Sequence, residues 1–304
     1  MTKLTFGGDV KRTFCTLCPQ HCGMLIQVED GLPVRFDGDR ENPVAKGKLC
    51  IKGTACLELH DHPDRVDYPL KRVGARGEGR WERIGWDQAL DGSLERLRTD
   101  VVDVYFYHRP DGLTPFSETI GALGELVREG KVRYVGVSNV DAPQLEEAAA
   151  AAAAEDVPLV CVENRYSLVR RDAEAELLPL CERLGLGLIP FYPLESGVLT
   201  GKYRRGEPLP AGSRLDGSST IWPAERWLTD EVFDRVEALE RYAAERGLSL
   251  LEVAIGGLLA MPAVASVIAG ATQPEQVRAN VRASGWRPDD DDDLAALAAL
   301  RFPG

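Results

Sequence analysis

Several things are scarce in this chain, and each scarcity excludes something. Its 304 residues contain no apolar run of about eighteen residues, the length a membrane-spanning helix needs. Basic charge is in deficit: 36 Lys and Arg face 48 Asp and Glu, a formal net charge of −12. A surface of that sign repels phosphate backbones and anionic lipid, so neither nucleic acid nor membrane is expected as a partner. The opening stretch, MTKLTFGGDVKRTF, lacks the apolar segment of a secretory signal, and a cytoplasmic location is the expectation. Cysteine is present but odd in number, seven in all, which argues against a disulfide framework. Cys161 and Cys181 sit in apolar stretches and read as small buried core residues.

What is present falls into two styles. The first 85 residues are rich in Gly, Pro, Asp and Arg, with only short apolar stretches. GMLIQVED and GLPVRFDGD, joined by a Gly-Leu-Pro turn, read as a hairpin. From Val101 the pattern changes. VVDVYFYH, VRYVGVSN, PLVCVENRYSL, LGLIPFYPL and ASVIAGAT read as buried strands. Between them lie helical stretches such as PFSETIGALGELVREG, APQLEEAAAAAAAE, DAEAELLPLCERLG and QPEQVRANVRAS. Such alternation indicates parallel βα units. The expected architecture is therefore α/β: a small β-rich domain over residues 1–85, then a (β/α) barrel of about five units over 86–304. Eight units close such a barrel. Unpaired edges of an incomplete one invite self-association. The acidic run at 289–293 reads as a solvated cap on a last helix.

Two sets of residues carry chemistry. CTLCPQHC followed by GKLC spaces Cys15, Cys18, Cys22 and Cys50 as Cys-x2-Cys-x3-Cys-x27-Cys. Four thiolates hold either a tetrahedral zinc or one [4Fe–4S] cluster. Three close cysteines and one distant one favour the cluster, although spacing alone does not decide. In the second half, several short motifs lie at or just after strand ends, where parallel barrels place their sites: VGVSN, ENRYSLVRR, FYPLESGVLTGKY and VIAGATQPEQVRAN.

The first set, with its context through PDRVDYPLKRVG and GRWERIGWDQAL, resembles the N-terminal [4Fe–4S] domain of molybdopterin oxidoreductases over residues 10–90. That resemblance implies cluster ligation by Cys15, Cys18, Cys22 and Cys50, and an electron-transfer role for Lys52. The part of that family that ligates molybdenum has no counterpart here, so no molybdenum site is expected.

The second set resembles an aldo-keto reductase from residue 91 onward. The resemblance implies NADP(H), a small carbonyl substrate, and His108 as the catalytic histidine. It assigns Ser138 and Asn139 to the nicotinamide carboxamide, with Glu163 at a position where the family usually has Gln. Tyr192 would stack on the nicotinamide ring. Leu194, Ser196, Gly197 and Leu199 would form the pyrophosphate loop, and Gly270, Thr272, Gln276 and Asn280 the adenosine-phosphate end. The family's Asp, Tyr and Lys, carried on its earlier strands, are missing, so carbonyl reduction is expected to be impaired. Tyr68 and Lys71 are weak substitutes, since they already belong to the first module's YPLKR motif. The alternatives are an electron-transfer fusion between cluster and nicotinamide, or a non-catalytic nucleotide- and metal-binding protein. The two halves meet in WDQALDGSLERLRTD, whose Trp86, Ala89, Leu90, Leu94 and Leu97 share one helical face.

Overall fold

The computed structural model describes residues 9–15, 22–30, 32–43, 45–55, 62, 69–112, 114–216, 224–288 and 291–300. It divides into two compact units, residues 1–96 and 97–304. No described helix is long and apolar enough to cross a membrane.

The first unit is built from antiparallel pairs. Strands β1 (Asp9–Phe14), β2 (Gly23–Glu29) and β3 (Leu32–Gly38) form one sheet in that order. The expected hairpin is β2–β3, with Ile26 opposite Phe36. Strand β1 went unforeseen: it is exposed along its whole length and half of its residues are charged, so it shows no apolar alternation. A one-turn helix, α1 (Ile51–Thr54), follows Cys50. Strands β4 (Leu70–Arg72) and β5 (Trp81–Arg83) make a second, two-stranded sheet. Helix α2 (Trp86–Leu97) closes the unit. Of its apolar face only Leu90 and Leu94 are buried, while Trp86 and Leu97, at its two ends, are exposed.

The second unit is a parallel sheet covered by helices. Strands β6 (Val102–Tyr107), β7 (Val132–Ser138), β8 (Leu159–Arg165) and β9 (Gly187–Phe191) pair in sequence order. The helices between them are α3 (Phe116–Arg128), α4 (Ala142–Ala154) and α5 (Leu177–Leu184). Helix α3 ends where Gly130 takes φ 73°, a left-handed turn that glycine enters without strain. Asp141 caps α4 by accepting from the Gln144 N–H, and the Gln144 side chain accepts from Asp141 in return. The alanine run of α4 buries Ala148 and Ala152 in the core. One face of the sheet, through Val135, Val137, Val162 and Leu188, packs with Ile120, Leu123, Leu145 and Cys181 of the helices.

Beyond β9 lie the short helix α6 (Ala224–Trp227), then α7 (Asp230–Glu245), α8 (Leu250–Leu259), α9 (Pro274–Ala283) and α10 (Asp291–Ala299). Three expectations need correction here. ASVIAGAT is not a ladder strand. It runs beside β9, with Ala265 donating to the Leu188 carbonyl at 2.9 Å and Ile268 to the Pro190 carbonyl at 3.1 Å, and forms a single bridge, Leu188 to Val264. DAEAELLPLCERLG breaks into a one-turn 3-10 helix (Asp172–Glu174) and α5. The acidic run is not wholly solvated either: Asp293 accepts from the Tyr242 hydroxyl at 2.8 Å and pairs with Arg246 at 2.5 Å, tying α10 to α7.

Candidate functional site

The parallel register assembles most of the expected site at the C-terminal ends of neighbouring strands. Tyr107 aligns with Val137, and Ser138 with Glu163 and Ile189. His108, Ser138–Asn139, Glu163 and Tyr192 thus lie at or within two residues of the C-terminal ends of four successive strands. Ile268, hydrogen-bonded beside β9, leads Gly270 and Thr272 to the same edge. His108 is exposed and Ser138 is buried. Asn139 holds a left-handed φ of 58°, a conformation Asn tolerates better than most residues. Its amide donates to the His108 carbonyl at 2.9 Å and to Ser138 Oγ at 3.0 Å. Arg109 Nη2 donates weakly to Asn139 Oδ1 at 3.4 Å. Asn139 therefore ties together the ends of β6 and β7.

The loop after β9 is an unusual backbone. Tyr192, Glu195, Ser196 and Gly197 all have positive φ, from 42° to 93°. At Gly197 a Cβ would fall 2.6 Å from Lys202 Nζ, so that ammonium lies close against the loop backbone. Ser196 is buried, and its hydroxyl has no protein hydrogen-bond partner. A buried hydroxyl without a partner costs free energy. An orphaned donor beside a lysine suits a phosphate oxygen. Leu199 is fully buried and anchors the loop in the core, while Leu194 packs against the core's edge.

At the far end, Gln276 Oε1 accepts from the backbone N–H of Thr272 at 2.7 Å and of Gln273 at 3.2 Å. Gln276 thereby caps α9, and Asn280 follows one turn later. A hollow of about 490 Å³ there is lined by Thr272, Gln273, Val277 and Arg278. Arg278 was not foreseen; a cation near a helix N-terminus facing a hollow is the signal for it. Phe191 stands beside Tyr192, their rings edge to face at 5.5 Å. Alternation along β9 places it on the same sheet face as Ile189, whose register partner is Glu163 and whose neighbours on that face include Ser138.

The cysteine set is partly visible. Cys15 donates its N–H to the Cys22 carbonyl at 2.8 Å, so these two residues face each other where β1 meets β2. A Cβ on Gly53, in α1 just after Cys50, would lie 3.8 Å from Cys15 Sγ. The fold therefore brings three thiol-bearing segments together, and an all-thiol donor set fits an iron–sulfur cluster in its chemistry. Among the described residues, no three side chains converge on one point as metal ligands would. Cys18 and the Lys52 side chain lie outside the described residues. Cys161 and Cys181 behave differently: burial pushes both thiols up to about 11, so at neutral pH they are protonated and inert. Tyr68 is outside the described residues, and Lys71 lies on β4 of the first unit.

Residues 70–301 match the Aldo/keto reductase family model. The chain belongs to that family. Residues 9–62 match the model of the molybdopterin oxidoreductase Fe4S4 domain, so two families share one chain. Among relatives of the reductase part, a probable voltage-gated potassium channel subunit beta from Oryza sativa subsp. japonica is 41% identical over 198 residues, 64% of this chain and 60% of that protein. The NADH-specific methylglyoxal reductase of Escherichia coli (strain K12) is 34% identical over 305 aligned positions, 94% of this chain and 87% of that protein. The crystal structure of a thermostable aldo-keto reductase with the inhibitor epalrestat superposes with a TM-score of 0.54 at 29% identity, covering 70% of this chain and 65% of that one. The channel-subunit relative is thus spanned over less than two thirds of its length, as is that crystal structure.

Proposed function

We propose that this oxidoreductase-family protein combines a [4Fe–4S]-type module with a half-barrel that binds NADP(H) but is impaired in carbonyl reduction. The carrying observation is the order of the parallel sheet. It begins at β6, which ends at His108 and has one strand neighbour among the described residues, while the described strands before it are short antiparallel pairs. Earlier βα units, which in the family bring the Asp, Tyr and Lys, have no counterpart there. On this reading the half-barrel holds about five of the eight strand positions, counting the segment beside β9.

Bound NADP(H) would supply a hydride. Ser138 and Asn139 would orient its carboxamide, with Glu163 as an acceptor only, since an ionised carboxylate cannot donate. Tyr192 would face the ring. Ser196 Oγ and the backbone around Gly197 would hold phosphate, while Thr272, Gln276 and Asn280 would take the adenosine end. Among the described residues one edge of β6 has no strand partner, which makes self-association the expected solution behaviour, and a monomer by gel filtration would count against it.

Two measurements test the reading. A nucleotide that binds only the folded state raises its stability by about 2.7 kcal/mol at a hundred times Kd. NADPH is therefore expected to raise the melting temperature, and no shift at millimolar nucleotide overturns the nucleotide site. Purified protein is expected to carry iron and inorganic sulfide with broad visible absorbance, and Cys15→Ser to lose both. Zinc in place of iron would overturn the cluster assignment.

A further inference from the structure

Arg165 is the last residue of β8 and aligns with Phe191, the last residue of β9. Its guanidinium forks onto the carboxylate of Glu195. Arg165 Nε donates to Glu195 Oε1 at 3.2 Å, and Nη2 donates to Oε2. Ser167 Oγ donates to the same Oε1 at 3.0 Å. The Glu195 side chain is only 5% exposed and that of Arg165 is 30% exposed. The guanidinium carbon also lies 4.7 Å from the Trp227 ring centroid and 5.7 Å from that of Tyr192. Those two rings meet edge to face at 5.9 Å.

Glu195 sits inside the loop whose backbone is least comfortable. Its φ is 42°, with Tyr192 at 54°, Ser196 at 59° and Gly197 at 93°. Three of these four are not glycine. Such residues stay in the left-handed region only when their surroundings over-determine them. The surroundings here include one bidentate ion pair, one serine hydroxyl and a cation held over two aromatic rings, besides hydrogen bonds from Tyr203 to the Ser196 carbonyl and from Thr200 to the Gly197 carbonyl.

We propose that Arg165 is a positioning residue of the nucleotide site. It acts through Glu195, holding the Tyr192–Gly197 loop in the conformation that presents the Ser196 hydroxyl and the Tyr192 ring to a dinucleotide. This rests on the reading that the half-barrel binds NADP(H). Without the clamp the loop relaxes, and the cost of ordering it moves into the binding step, lowering affinity. Lysine is a poor substitute, because a point charge cannot engage both carboxylate oxygens as the planar fork does.

The test is an NADPH titration followed by quenching of tryptophan fluorescence, since reduced nicotinamide absorbs where tryptophan emits. Arg165→Lys and Arg165→Met are each expected to weaken NADPH binding by about tenfold, the scale of coupling between residues in contact. Arg165→Met leaves the Glu195 carboxylate buried and unpaired, so it is also expected to melt earlier. The double variant Arg165→Met/Glu195→Gln removes both charges and keeps a partner for Ser167. It is expected to recover the melting temperature while remaining about tenfold weak for NADPH. A purely structural role predicts that affinity returns with stability, and that result overturns the proposal. Unchanged affinity in Arg165→Lys also overturns it, while leaving the nucleotide reading intact. A wild-type protein that shows no quenching overturns both.

Discussion

Incubated with NADPH and a simple aldehyde, the protein is expected to oxidise the nucleotide no faster than a protein-free control, and His108→Ala to change nothing. Hydride arriving at a carbonyl carbon leaves negative charge on the oxygen, which needs a proton donor or a fixed dipole. A positioned general acid contributes about 10²–10⁴-fold, and an oxyanion donor about 10²–10³-fold. On the proposed reading, His108 is the one family residue supplying these effects that this chain keeps. It is exposed at the end of β6, where water competes for any hydrogen bond it makes. Its backbone carbonyl, not its ring, is what Asn139 engages. NADPH absorbance decay is the assay, with a complete aldo-keto reductase as positive control. Turnover above the blank that disappears in His108→Ala would sink the claim of impaired chemistry. Nucleotide binding without turnover would separate holding the cofactor from using it.

Replacing Glu174 by Ala is expected to destabilise the reductase unit by about 3–5 kcal/mol, the cost of leaving a buried charge without its partner. Glu174 and Arg171 are 7% and 10% exposed and pair at 2.5 Å. The Tyr166 hydroxyl also donates to Glu174 at 2.7 Å, and Tyr166 is fully buried. Arg171 further donates to the Leu297 carbonyl at 3.1 Å, fastening α10. Truncating the glutamate therefore removes the buried carboxylate that both the guanidinium and the phenol engage. Chemical denaturation, read from the shift in midpoint at constant slope, measures the loss. Glu146→Ala is the contrast: it pairs with Arg183 at 2.7 Å, but both side chains are about 60% exposed, and such surface pairs contribute about 0–1 kcal/mol. Comparable losses from the two variants would contradict the assignment of Glu174 as a buried anchor.

Legibility from sequence followed the range of the interaction. Helix α4 was readable because its run of good helix formers is continuous in sequence. The helix stop at Gly130 is local in the same sense. The β6–β9 strands announced themselves because sheets covered by helices need continuous apolar runs. Strand β1 did not, since a polar edge strand is defined by its neighbour β2 and by no pattern of its own. ASVIAGAT had the composition of a strand but reached only a bridge and scattered hydrogen bonds to β9. Composition states a preference, and the pairing partner decides whether it is realised.

The site divides along the same line. Residue types and spacings picked out the thiols and the strand-end motifs, because chemistry resides in side chains and their order along the chain. Contacts across long sequence separations became visible only with the fold: Arg165 with Glu195, Arg171 with the Leu297 carbonyl and Asp293 with Arg246; so did the Ser196 hydroxyl buried without a protein partner. A polar side chain carries no mark of whether it will meet water, a charge or nothing. Packing assigns it a partner from elsewhere in the chain, or leaves it, like the Ser196 hydroxyl, buried with none.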